Sequence, residues 1–284
     1  MQLRSLAGWT ESWFVEEVRD LGDAVALRCP TEPTFRWGNV LMIPDAPEPG
    51  DRACLEARFA EVFDDLPEVR HVTVGWDDPE GREGDVAEWQ AAGYEIDRNV
   101  TRVAEAADLH APAGRPAGFA VRAARDDDDW RQVVALQASD PGDEEPTSYR
   151  ALILGRAAFR RRLAEGVRPD LHGAWFLATL HGVPVGSMGL FVHQRVGRFQ
   201  FVHVAPEHRR KGVATAMVHA VAREGLGRMG AERLVIVGDE GTSADGIYAA
   251  LGFRAVERLV GACRKEPVGA ERQSVAPGIT SKTG

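Results

Sequence analysis

The chain has 284 residues and a formal net charge of −9 at pH 7, enough length for one large domain or two ordinary ones and for a substantial core. It contains no run of roughly 18 apolar residues, and its start, Met1-Gln-Leu-Arg-Ser5, lacks a secretory apolar region, so a cytoplasmic protein with no membrane partner is expected. The three cysteines are far apart and the histidines form no His-Glu-x-x-His or Cys-x-x-Cys pattern, which predicts neither disulfides nor a metal site.

In chain order, the first half predicts a helix over residues 52–63 and a strand over 70–77. A segment Trp89-x-x-x-Gly93-Tyr94 follows, with the glycine in the place where a helix ends. The stretch Ala111-Pro-Ala-Gly-Arg-Pro-Ala-Gly118 is rich in breakers and reads as a linker between domains at residues 1–110 and 119–265. Residues 266–284 are polar and without apolar period, and read as a mobile tail.

After the linker comes a strand over 119–122, then a helix opened by four aspartates at 126–129. Carboxylates complement the positive end of a helix, so the run reads as a cap rather than a cation site. A second helix spans 149–165. The cluster Arg160-Arg161-Arg162 falls on it and reads as the wet face of an amphipathic helix, so no nucleic-acid partner is expected. Strands over 174–180, 184–194 and 198–204 form a meander. They lead to a helix over 214–228, a strand over 233–237, a helix over 244–251 and a final strand over 253–263. Strands alternating with crossover helices imply a mixed sheet with helices packed on it, an α/β (mixed α+β) class.

The run Val204-Ala-Pro-Glu-His-Arg-Arg-Lys-Gly-Val-Ala214 joins a strand end, a basic turn and a helix start. Successive N–H groups there can converge on an anion, with the helix dipole adding to them, and Gly212 lets the backbone come close. With its spacing Arg209-x-x-Gly212-x-Ala214, this turn resembles the acetyl-CoA pyrophosphate loop of the GNAT N-acetyltransferase superfamily, with alanine in the last place. The later run Ala244-Asp-Gly-Ile-Tyr248-Ala-Ala-Leu-Gly252-Phe253 looks like the helix on which that family presents a tyrosine before Leu-Gly-Phe.

The resemblance covers residues 119–265 and implies acetyl-CoA as cosubstrate. Its loop corresponds to Arg209, Arg210, Lys211, Gly212, Val213, Ala214 and Thr215, and the backbone that meets the thioester oxygen corresponds to Val202, His203 and Val204. Tyr248 falls at the family's general acid, and a phenol near pKa 10 keeps its proton at neutral pH. The positions where the family often carries a glutamate or histidine base hold Gln200 and Arg198 here. His203, Asp239 and Glu240 remain as candidates for the base.

The first half repeats part of this order, since residues 70–77 align with 233–240 and Trp89-x-x-x-Gly93-Tyr94 with Tyr248-x-x-x-Gly252-Phe253. This predicts a degenerate tandem GNAT-like domain. In place of the basic turn stands Ile43-Pro-Asp-Ala-Pro-Glu-Pro-Gly-Asp51, with three prolines lacking donors and three carboxylates opposing a phosphate. Charge divides the same way: residues 1–110 hold 24 acidic and 10 basic side chains, and residues 111–284 hold 19 and 24. The expected activity is acetyl transfer from acetyl-CoA to a primary amine of a small molecule, in a ternary complex. A silent CoA-binding sensor and a protein-modifying enzyme are the alternatives, and a homodimer is an admissible assembly.

Overall fold

One sheet of eleven strands runs through the computed structural model, which describes residues 1–141 and 146–265. The first half contributes α1 (Leu6–Glu11), β1 (Glu17–Asp20), β2 (Val25–Arg28), β3 (Val40–Ile43), α2 (Asp51–Val62), β4 (His71–Trp76), α3 (Val86–Ala91) and β5 (Glu95–Glu105). The second half contributes β6 (Phe119–Ala123), α4 (Asp127–Gln137), α5 (Pro146–Ala164), β7 (His172–Leu180), β8 (Val183–His193) and β9 (Val196–Val204). It ends with α6 (Val213–Gly227), β10 (Arg233–Asp239), α7 (Ser243–Ala250) and β11 (Arg254–Lys265). The expected tail lies outside the described residues.

Strand order is β1-β2-β3-β4-β11-β5-β10-β9-β8-β7-β6. Only β3 with β4 and β9 with β10 are parallel, each pair joined by a crossover helix, as parallel neighbours require. The run β3-α2-β4-α3-β5 is thus repeated as β9-α6-β10-α7-β11. The halves also exchange their last strands, β5 lying between β10 and β11 and β11 between β4 and β5. The mixed α/β class and the two similar halves agree with the sequence reading. The two expected sheets, however, are fused into one, because each half's final strand pairs into the other and leaves no free edge at the middle.

Helix boundaries follow local chemistry. Asp126 caps α4 by accepting from the Asp129 N–H at 2.9 Å, and the Asp129 carboxylate is bound by Arg122, so the aspartate run acts as cap and ion pair. On α6 the buried residues Val213, Met217, Val218, Val221 and Ala222 recur at helical spacing and face Leu190 and Leu234 of the sheet. Gly252 ends α7 at φ +95°, where any Cβ would lie 1.8 Å from the Asp108 carbonyl oxygen, so only glycine fits. The expected linker lies against the second half: the His110 N–H donates to the Leu251 carbonyl at 2.9 Å and Arg115 Nη2 to the Phe119 carbonyl at 2.9 Å. Among the described residues no helix is long and apolar enough to cross a membrane.

Candidate active site

At the end of β9 the chain makes a 3-10 turn over Pro206–His208, and Arg210 and Gly212 then take φ of +59° and +78°. Gly212 is the N-cap of α6 and no side chain caps that helix, so its first-turn N–H groups point outward with no partner within the helix. Arg209 is held beside them, Nε donating to the Val204 carbonyl at 3.0 Å and Nη2 bound to Asp140. A cavity of about 680 Å³ opens there. Of the residues expected at a cofactor loop, Val202, His203, Val204, Arg209, Arg210, Gly212, Val213, Ala214, Thr215 and Tyr248 line it, and Lys211 does not, its side chain being exposed. A Cβ at Gly212 would meet nothing closer than Pro116 Cγ at 3.8 Å, so the space beside the helix start is open to a ligand.

The strands part next to this loop. β9 pairs with β10 only over Val196–Arg198, and beyond that point a β-bulge sets Phe201 and Val202 opposite the single residue Met188, with Phe201 at φ +47°. A bulge interrupts the ladder and re-aims the backbone, here toward the gap. Tyr248 fills the gap from α7, 6% exposed, its ring packed over Gly238 of β10. Burial pushes its phenol up to about 12, against the pull of Arg198 and with Asp239 and Asp245 adding to the rise.

Three candidate bases occupy different places. His203 is buried, and desolvation, reinforced by Arg209, lowers its pKa below the usual imidazole value. Its Nε2 has no hydrogen-bond partner among the described residues. Asp239, at the end of β10, lines a second cavity on the other side of the gap. Glu240 lines neither cavity. Its N–H donates to the Arg98 carbonyl at 3.0 Å, and its carboxylate is held by Arg258 at 2.5 Å, in the turn that follows β10.

The second cavity holds about 280 Å³ and is built by both halves. Leu27, Val40 and Met42 of the first half form an apolar wall, Arg198 and Gln200 stand on β9, and Asp97 and Asn99 on the exchanged strand β5. Trp37 lies over Gly75 and Gly261, where a Cβ would come within 3.2 Å and 2.4 Å of its ring, and it lines the cavity together with Asp97. Burial raises the Asp97 carboxyl above its ordinary range, with Arg36 opposing. Glu11, Trp37 and Asp97 escape a reading of the sequence, since their meeting with Arg198 depends on the exchange of β5 and on α1 docking 187 residues away from its partner on β9.

Residues 130–253 match the model of the acetyltransferase (GNAT) family. No curated protein matches the chain. Among solved structures, a functionally unknown conserved protein from Staphylococcus epidermidis is 12% identical, with 89% of this chain and 95% of that one covered and a TM-score of 0.71. A GCN5-related N-acetyltransferase from Kribbella flavida is 17% identical over 90% of this chain and 92% of its own, with a TM-score of 0.62. A tandem GNAT protein from the clavulanic acid biosynthesis pathway is 14% identical over 92% and 88%, with a TM-score of 0.53. At such identities the likeness is one of fold, and in each case it extends over both halves.

Proposed function

We propose, from the match of residues 130–253 to the GNAT acetyltransferase family model, that the chain moves an acetyl group from acetyl-CoA directly to a primary amine of a small molecule. The observation that carries this reading is the gap between β9 and β10, with the loop cavity on one side and the cavity shared by the halves on the other. Such a gap brings two ligands end to end, which replaces a bimolecular encounter by a positioned one. The volume of the second cavity, about 280 Å³, lies at the low end of small-molecule sites, which run from roughly 300 Å³ upward. A metabolite suits it better than a protein segment.

The residues present fit acetyl-CoA. The open N–H groups at the start of α6 and the guanidinium groups of Arg209 and Arg210 suit a pyrophosphate. When bound, acetyl-CoA supplies an activated acetyl group and a sulfur that can leave. The remaining work belongs to the chain. The backbone around Val202, released from the ladder by the bulge, is positioned to donate to the developing oxyanion. Tyr248, with its phenol pushed up to about 12, holds its proton throughout the neutral range and serves as donor to the departing sulfur.

An amine must be neutral before it attacks. Asp239 faces the acceptor cavity and is assigned the role of drawing off the ammonium proton toward solvent. His203, which faces the loop cavity, is a neutral polar wall there rather than the base. Glu240, bound to Arg258, has no role in the chemistry.

The test is thiol release from acetyl-CoA by the full chain across a panel of primary amines, with the product identified by mass. Acetylated amine is the expected outcome. Tight CoA binding with no accepted amine sinks the enzymatic reading and leaves the sensor in its place.

A further inference from the structure

On the proposed acetyltransferase reading, and resting on it, we infer that the acceptor is a free α-amino acid with a large apolar side chain, its carboxylate bound by Arg198. Arg198 is only 6% exposed yet lines the acceptor cavity. Its Nη2 donates to Glu11 Oε2 at 3.2 Å, while its Nε has no partner among the described residues. A guanidinium has five donors arranged as a fork that matches a carboxylate. The ion pair with Glu11 occupies one donor and leaves Nε without a partner, and an unpaired buried donor is costly. A ligand carboxylate arriving in the cavity would take up the donors that the protein leaves free.

Position narrows the class. Arg198 is the last residue of β9 to pair with β10, opposite Val235, so it stands at the mouth of the gap where transfer must occur. Arg198, where β9 and β10 part, and Asp239, at the end of β10, both line this cavity, and Tyr248 packs over Gly238 next to Asp239. An anion site and an amine-directed carboxylate therefore flank the same reacting point. That suits an amine and a carboxylate separated by one carbon, rather than an acid group at the far end of a chain. Beyond them the cavity turns apolar, with Leu27, Val40, Met42 and Trp37 forming the pocket for a side chain.

In the transfer the amine nitrogen forms a bond to the acetyl carbon and the carbon–sulfur bond breaks. One ammonium proton leaves by way of Asp239 to solvent before attack, a second passes from nitrogen to solvent afterward, and the sulfur takes one from Tyr248, which recovers it from solvent, so that one proton is released overall. The carboxylate stays unchanged on Arg198 throughout.

The experiment compares leucine, methionine and phenylalanine with their decarboxylated counterparts, 3-methylbutylamine, 3-(methylthio)propylamine and 2-phenylethylamine. In the wild-type chain kcat/KM for an amino acid should exceed that for its amine by roughly 10- to 100-fold, the scale of a charged hydrogen-bonded contact. In Arg198→Gln the ratio should fall to near one. Amines accepted as well as or better than the amino acids would overturn this inference and leave the acetyltransferase reading standing. Turnover of neither class would overturn this inference, and the wider panel of primary amines would then decide the acetyltransferase reading. A preference that survives in Arg198→Gln would remove Arg198 from the role. Should that variant fail to fold, Arg198→Lys keeps the charge without the fork, and the wild-type comparison still decides.

Discussion

Gly50 and Gly212 occupy the same place in the two halves. Each follows a strand that runs parallel to the next, each is the N-cap of the crossover helix, and their φ values are +92° and +78°. Their surroundings are opposite. The Gly50 N–H donates to Glu88 Oε2 at 2.8 Å, and the Asp51 carboxylate accepts from the Glu48 N–H at 2.8 Å. The first half thus fills its own anion position with its own carboxylates. Neither helix has a side-chain cap, but the side chains beside Gly212 are Arg209 and Arg210. The backbone device is common to both halves, and what already occupies the N–H groups decides which one can receive a phosphate.

The sharpest way to break this comparison is Gly212→Glu, which sets a carboxylate where an external phosphate should bind. Calorimetric titration should register no CoA binding, a loss of at least about 100-fold in affinity. The fold should survive, since the site is open to a Cβ and the left-handed conformation costs a side chain only about 1–2 kcal/mol. Undiminished affinity in a folded variant would sink the loop assignment. Tyr248→Phe comes next. Removing the proton donor should lower turnover by roughly 100-fold or more and leave CoA affinity within a few-fold, so that rate and binding separate.

Much of the second half is legible because its signals are local. Arg209-x-x-Gly212-x-Ala214 and Tyr248-x-x-x-Gly252-Phe253 lie within single turns and helix ends, where backbone conformation and side-chain chemistry are written in adjacent residues. The four aspartates were legible for the same reason, one capping α4 and another binding Arg122. The strand exchange was not. Nothing in the residues of β5 or β11 distinguishes a strand that pairs within its own half from one that crosses over, since both are central strands with a similar mix of exposed, half-buried and buried positions. The acceptor cavity depends on that exchange, which carries Asp97 and Asn99 to the gap. Glu240, in the turn just after β10, lines neither cavity, whereas its neighbour Asp239 at the strand end lines the second.

That one-residue difference can be measured. Asp239→Asn should lower kcat/KM by roughly tenfold or more by removing the group that draws off the ammonium proton, while Glu240→Gln should stay within about twofold because it loses only a surface ion pair. An Asp239→Asn protein that also stays within twofold would place Asp239 outside the chemistry, and a tenfold loss in Glu240→Gln would bring Glu240 into it.

His203 adds a pH signature to the second half alone. Its folded pKa is lowered from the ordinary 6.5 by burial. Above that value the ring is neutral in both folded and unfolded chains, and stability does not depend on it. As pH falls below 6.5 the unfolded chain takes up a proton that the buried ring resists, so stability declines. Denaturant melts between pH 7.5 and 5.5 should therefore slope less in His203→Gln than in the wild type. His219, also lowered by burial, contributes equally to both and drops out of the difference.

The smallest expected effect is the most telling for the comparison. Gly50→Glu is the same substitution as Gly212→Glu at the equivalent helix cap of the first half, and nothing lies within 4 Å of the Cβ it adds. It should cost roughly 1–2 kcal/mol of stability, because a side chain is forced into the left-handed region, with some further repulsion from Glu88, which holds the Gly50 N–H. CoA affinity should stay within twofold of the wild type, with one CoA bound per chain. The prolines Pro44, Pro47 and Pro49 supply no donors there, and the carboxylates of Glu88 and Asp51 already hold the N–H groups of Gly50 and Glu48. A large loss of affinity in a folded Gly50→Glu protein, or a second CoA in the wild-type titration, would mean that the first half also meets the cofactor. The difference between the two glycines would then be one of degree.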